Sequence, residues 1–236
     1  MQKGLEAEQT LDKELVKSVY KDQQDIIRVV IRLYCPKGID LDPTFSLGKF
    51  YSTSMPPRLR FDIDPQIDGV VKADCRNLPL GNESVASIMF DPPFIVGINS
   101  DNTRTGIING RFGAYKSVEE LWEMYHGALK EFHRLLKPNG ILVFKCQDTI
   151  SGGKQYLSHV EVINSAIQKG FYPIDLFILL ADNRIIDPRG EQQHARKFHS
   201  YFIVFRKGKC PVGYTEAQAP LGAKATEYPP EPDNNE

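Results

Sequence analysis

The chain has 236 residues, 41% hydrophobic and 25% charged, the balance of a folded globular protein rather than a disordered or fibrous one. No stretch approaches the ~18 consecutive apolar residues of a membrane span, and a net charge of −1 excludes a uniformly basic surface. The charge is unevenly spread: residues 211–236 carry −4 and the first 210 carry +3, which permits a local basic face.

The opening, MQKGLEAEQTLDKE, is polar and acidic and matches neither a signal peptide nor an Arg-rich transit peptide. Cys35, Cys75, Cys146 and Cys210 stand far apart with no CxxC, so the expectation is a cytoplasmic protein with reduced thiols and no metal site. From Leu11 to Leu33 the apolar residues Leu11, Leu15, Val19, Ile26, Val29, Val30 and Leu33 fall mostly at helical spacing, predicting an N-terminal helical segment over 11–34. A break at Lys21-Asp22 would divide it in two. Short apolar runs of strand type follow at 39–41, 59–61, 70–71 and 88–90, then at 141–144, 176–180 and 201–205. Between the fourth and fifth lies a long amphipathic helix. Ser117 and Glu120 form its capping box, and Val118, Leu121, Trp122, Tyr125, Leu129, Phe132 and Leu136 form its apolar face. A second helix spans about 158–168. Helices alternating with buried strands predict a three-layer α/β fold with a mostly parallel sheet. The last two strands lack a helix between them, so one is expected antiparallel at the edge. The segment 208–236, rich in Pro, Ala and Glu, is expected to be a disordered acidic tail to a domain at 1–207.

Asp42, Asp62, Asp74 and Asp91 follow the first four strands. Ligands of open α/β sheets bind at the carboxyl ends of strands. Carboxylates there repel a pyrophosphate and suit a ligand presenting cations, hydroxyls or amino groups. An Asp at the start of a loop also serves local turns and helix caps. The segment Phe90-Asp91-Pro92-Pro93-Phe94 is more specific. Two prolines directly after a buried strand cannot continue a ladder and fix a stiff turn. That turn offers the Asp91 carboxylate and the Pro92 carbonyl as acceptors, with an aromatic ring one step on. An exocyclic amino group on a flat base requires two acceptors and a ring to stack on.

On these residues the chain resembles the S-adenosylmethionine-dependent amino-methyltransferases that methylate exocyclic nitrogens of nucleobases. Their (Asp/Asn/Ser)-Pro-Pro-(Tyr/Phe/Trp) tetrapeptide appears as Asp91-Pro92-Pro93-Phe94. Asp42-Pro-Thr-Phe-Ser-Leu-Gly48 resembles the first cofactor motif, Phe61-Asp62-Ile63-Asp64-Pro65 the second, and Ala73-Asp74-Cys75-Arg76 the third. Lys137-Pro-Asn-Gly-Ile-Leu-Val-Phe-Lys145 resembles the passage from helix to fifth strand. The resemblance covers about 18–205, and short methylases of phages and prophages look most similar. One departure is Ser46, which stands where the cofactor loop usually has its first glycine.

The resemblance implies a Rossmann-like class I methyltransferase fold with seven strands, and S-adenosylmethionine as cofactor. It places Asp42, Thr44, Phe45, Ser46 and Gly48 at the methionyl part, Asp62 at the ribose, and Asp74 and Cys75 at the adenine. It implies methyl transfer at Asp91, Pro92, Pro93 and Phe94, chiefly to N6 of adenine in DNA, since Ser in the first position goes more often with N4 of cytosine. Arg104 and Arg111 in the long loop 95–116, and Arg196 and Lys197 before the last strand, are candidate nucleic-acid contacts. No partner protein is implied. Rival readings are an RNA base methyltransferase, a Mg-dependent phosphotransferase using the strand-end aspartates, a nucleophilic Cys75, and a non-catalytic binding module.

Overall fold

The computed structural model describes residues 15–94, 96, 115–182 and 194–211. Its first helix, α1 (Gln23–Tyr34), starts at the Lys21-Asp22 break, because the Asp22 carboxylate accepts the Gln24 N–H at 2.9 Å and caps it. Val19–Tyr20, just before, form a short strand, β1. Residues 11–14 of the expected helical segment lie outside the described residues. Strands β2 (Leu41–Asp42), β3 (Leu59–Asp62), β4 (Val71–Lys72) and β5 (Val85–Phe90) follow in turn, then α2 (Val118–Leu135) and β6 (Leu136–Cys146). A small hairpin of β7 (Thr149–Ser151) and β8 (Lys154–Tyr156) comes next, turned by Gly152 and Gly153, both with positive φ. The described elements end with α3 (Ser158–Gln168), β9 (Phe171–Leu180) and β10 (His199–Lys207). The cap of α2 is as expected at Ser117, whose hydroxyl accepts the Glu120 N–H at 3.2 Å. The Glu120 carboxylate reaches one residue further back than in a capping box, to the Lys116 N–H at 2.7 Å.

Eight strands form one sheet in the order β1-β9-β10-β6-β5-β2-β3-β4, parallel apart from β10. Two features differ from expectation. The short β1 adds an eighth strand, and the antiparallel member lies inside the sheet, bonded to β6 on one side and β9 on the other. The crossover through α3 sets β9 two places out from β6, and the returning β10 fills the gap. A strand in that position is covered on both faces, which is why Phe202, Ile203, Val204 and Phe205 are all fully buried.

Alternate side chains of these strands feed two cores. Ile88, Phe90, Leu142, Phe144, Ile203 and Phe205 face α2 and α3, whereas Met89, Val143, Phe202 and Val204 face α1. Phe144 lies at the centre of the first core, with Phe90 and Tyr125 edge-on at 4.9 and 5.0 Å between ring centroids. It stands directly before the last charged residue of the strand, Lys145. Phe144→Ala is therefore expected to destabilise the fold by about 3–5 kcal/mol in urea denaturation, the usual cost of truncating a fully buried ring.

Candidate active site at the carboxyl edge of the sheet

The strand order reverses between β2 and β5, so a crevice opens outside their carboxyl ends. Asp42 closes β2 and Asp91 follows β5, Asp62 closes β3, and Asp74 lies just beyond β4. The four carboxylates singled out in the sequence thus follow four adjacent strands along one edge.

Asp42 is the innermost, with 1% of its surface exposed. One oxygen accepts the Thr44 N–H at 2.7 Å and the Thr44 hydroxyl at 3.2 Å, and the other accepts the Tyr51 hydroxyl at 2.7 Å. Burial pushes its carboxyl up to about 7, opposed by those hydrogen bonds and reinforced by the nearby charge of Asp91. The Thr44 hydroxyl also accepts the backbone N–H of Asp91 at 3.2 Å. A single side chain therefore ties the loop after β2 to the turn after β5.

The same loop explains the serine at the glycine position. Ser46 adopts φ 49°, a left-handed conformation, and its N–H donates to the Asp62 carboxylate at 2.8 Å. The hydrogen bond holds a backbone shape that glycine would adopt without strain. Two residues on, Gly48 has φ 69°, and a Cβ there would stand 2.8 Å from the Phe45 ring. That position admits only glycine. Phe45 itself is buried, stacked on Tyr51 at 5.8 Å with the Arg60 guanidinium 5.5 Å from its centroid.

Asp62 is half-buried and gives its second oxygen to the Asp64 N–H at 2.9 Å. Asp74 holds the Arg76 guanidinium at a closest approach of 2.6 Å, and this pairing keeps its carboxyl below the usual range. The Cys75 thiol lies 4.0 Å from the Met124 sulfur, and burial pushes it up to about 12. A thiol so far from ionising is unsuited to nucleophilic attack.

Asp91 is three-quarters buried and meets the Lys145 ammonium, which lies 3.1 Å from Oδ1 and 3.2 Å from Oδ2. Lys145 also donates to the Gln23 side-chain carbonyl at 2.8 Å and lies 5.2 and 5.3 Å from the Phe50 and Phe202 ring centroids. Pro92 is buried, and Pro93 and Phe94 are half-buried. Arg196 is exposed and Lys197 half-buried, both just before β10, whose antiparallel course starts it at this same edge. Arg104 and Arg111 lie outside the described residues. The acidic set and the Pro-Pro turn are thus brought together, with Arg196 and Lys197 on a neighbouring part of the edge.

Lys145, Tyr51 and Gln23 also belong to the site, although no sequence motif singled them out. Lys145 carried a usable signal, as a charge directly after the apolar run 141–144, on the strand next to that of Asp91. Tyr51 and Gln23 carried none, because their places depend on how the loop after β2 and the start of α1 fold against the edge. Among the described residues, no group of three or more His, Cys, Asp or Glu side chains could hold a metal ion, and no helix is long and apolar enough to cross a membrane.

The family model described as "DNA methylase", of the N6/N4 type, matches residues 85–235, from β5 and the Asp91 turn onward. The chain belongs to this DNA methylase family. No curated protein matches it. Solved structures similar to it include one from Thermus thermophilus named provisionally as a DNA modification methylase and solved with S-adenosyl-L-methionine. It is 18% identical over 58% of this chain and 52% of that one, with a TM-score of 0.40. The cytosine-N4-specific PvuII DNA methyltransferase is 17% identical over 60% and 49%, with a TM-score of 0.45. A SAM-dependent methyltransferase from Thermotoga maritima is 15% identical over 79% and 87%, with a TM-score of 0.48. The chain spans 52–59% of the length of the first Thermus structures matched.

The buried carboxyl of Asp42 gives a pH signature. Its folded value, about 7, lies above the ordinary carboxylate value of 3.8, so folding takes up a proton between the two. The stability this contributes is full below the unfolded value and is lost as pH rises through the folded one. Asp42→Asn keeps an acceptor for Thr44 without the titration. Denaturation at pH 5 and pH 8 is expected to show the wild type losing more stability over that interval than the variant.

Proposed function

We propose that the chain transfers a methyl group from S-adenosylmethionine to the exocyclic amino nitrogen of a nucleobase in DNA, N6 of adenine in the first instance. The observation that carries this reading is the Asp91-Pro92-Pro93-Phe94 turn at the strand-order reversal, tied through Thr44 to a loop of cofactor-motif residues.

The donor set fits the cofactor. Each Asp62 oxygen accepts one backbone N–H, which leaves lone pairs for two ribose hydroxyls. Asp74 is shared with Arg76 but keeps a partly exposed carboxylate for an adenine amino group. The bound cofactor supplies an electrophilic methyl on a sulfonium. Asp42, at 1% exposure with three hydrogen bonds already accepted, is assigned to holding Thr44 and the loop rather than to direct contact. Ser46 and Gly48 shape that loop, and Phe45 packs beneath it.

At the turn, the target amine donates to the Asp91 carboxylate and the Pro92 carbonyl. Two acceptors favour a tetrahedral nitrogen and stabilise the positive charge that develops on it, as preorganised electrostatics. Pro93 stiffens the turn, and Phe94 stacks on a base turned out of its strand. Arg196 and Lys197 are assigned to backbone phosphates.

Single-turnover methyl transfer with parallel calorimetry of cofactor binding tests the assignment. Asp91→Ala would leave Lys145 buried with no acceptor from residue 91, whereas Asp91→Asn keeps one oxygen for it and is the cleaner variant. The lysine draws the one amide oxygen toward itself and turns the amide NH₂, a donor, toward the target amine. The expected loss is ~10²–10³-fold in rate, comparable to removal of one preorganised group, with cofactor affinity nearly unchanged. Asp62→Ala is expected to behave in the opposite way and weaken cofactor binding. Full activity in Asp91→Asn would remove Asp91 from the chemistry.

A further inference from the structure

Lys145 is a cation almost withdrawn from water, at 8% exposure, in a protein with ample surface for its lysines. Burying an ammonium is costly unless its donors are satisfied. Here they are satisfied entirely from within the chain. Both Asp91 oxygens lie within 3.2 Å, the Gln23 carbonyl at 2.8 Å, and two aromatic faces flank the head. With its donors engaged in this way, the ammonium is not presented to a DNA phosphate. Gln23 belongs to the first turn of α1, Phe50 to the loop after β2, and Phe202 to β10. Three elements that carry none of the expected catalytic residues therefore converge on one ammonium, and it converges on Asp91.

A carboxylate has about four lone-pair directions. An ammonium nearly equidistant from the two oxygens occupies the inner pair and leaves the outer ones for other donors. We infer that Lys145 is a positioning residue for methyl transfer: it fixes the orientation of the Asp91 carboxylate and so determines which atoms of residue 91 face the target amine. The inference rests on the assignment of Asp91 to the reaction, and it makes a demand that a structural role for Lys145 does not. If the lysine dictates which edge of residue 91 faces the substrate, its effect reverses when that residue is an amide. In the Asp91→Asn background the lysine holds the single oxygen away from the amine. Removing the lysine frees the amide to turn its oxygen outward.

The test is a double-mutant cycle of Lys145→Met and Asp91→Asn in the full chain, read by single-turnover transfer from labelled S-adenosylmethionine to DNA. Methionine keeps the length of the stem among Phe50 and Phe202 without the charge. Lys145→Met alone is expected to slow transfer roughly 10–100-fold, the scale of a misplaced reacting group, while cofactor affinity stays within about twofold of wild type, because the lysine touches none of the residues assigned to cofactor binding. Added to Asp91→Asn, the same change is expected to raise the rate. An equal loss in both backgrounds, or a double variant slower than Asp91→Asn alone, would overturn the inference and reduce Lys145 to a packing role. Inactivity of the wild type on DNA would count against the functional assignment instead. In that event the ¹⁵N resonance of the Lys145 ammonium decides the pairing. It is expected to be shielded from exchange with water in the wild type, and an exposed resonance there would overturn the inference by itself.

Discussion

The ion pair between Lys145 and Asp91 is the constraint on which the carboxyl edge depends. A lysine at 8% exposure needs its donors satisfied, and Asp91, three-quarters buried, supplies two of the acceptors while drawing its own compensation from that ammonium. Each partner lies at the carboxyl end of one of two adjacent central strands, one residue beyond Phe90 and Phe144, which stand directly opposite in the ladder of β5 and β6. The register that aligns these two rings also sets the two charges side by side. Packing and chemistry are thus fixed by the same hydrogen-bonded ladder, one residue apart.

A second interaction extends this arrangement toward the loop after β2. The Thr44 hydroxyl donates to the buried Asp42 and accepts the N–H of Asp91, so the backbone carrying the candidate catalytic carboxylate is held from the loop side. Asp42 is in turn fixed by Tyr51, which stacks on Phe45, the ring that Gly48 must pass without a Cβ. These contacts join the loop after β2 to the turn after β5.

Much of this was legible in the sequence, for identifiable reasons. The four aspartates were visible because strands end in turn residues and these ended repeatedly in a carboxylate. The Asp91 turn was visible because consecutive prolines after an apolar run exclude a continuing ladder. The long helix α2 followed from a capping serine and an apolar stripe, whereas at Lys21-Asp22 the sequence offered only a possible break in a longer helical segment, which the Asp22 cap decides. The position of β10 was harder. Its run Tyr201–Phe205 is apolar on both faces, the mark of a covered strand, yet the missing helix before it suggested an edge. The pairing of Lys145 with Gln23 spans 122 positions and the pairing with Asp91 spans 54, and no local pattern encodes either. Ser46 shows the limit of motif reading. The loop keeps its left-handed turn with a different residue, because a hydrogen bond from its N–H to Asp62 supplies what glycine's freedom usually supplies.

The central claim is that this edge methylates an amino group of a base in DNA. The most direct measurement is incorporation of labelled methyl from S-adenosylmethionine into DNA and into RNA, followed by digestion and nucleoside analysis. Label in N6-methyladenine from DNA is the expected result, and label in N4-methylcytosine would keep the mechanism while changing the base. Label only in RNA, or cofactor binding with no transfer to either nucleic acid, would contradict it.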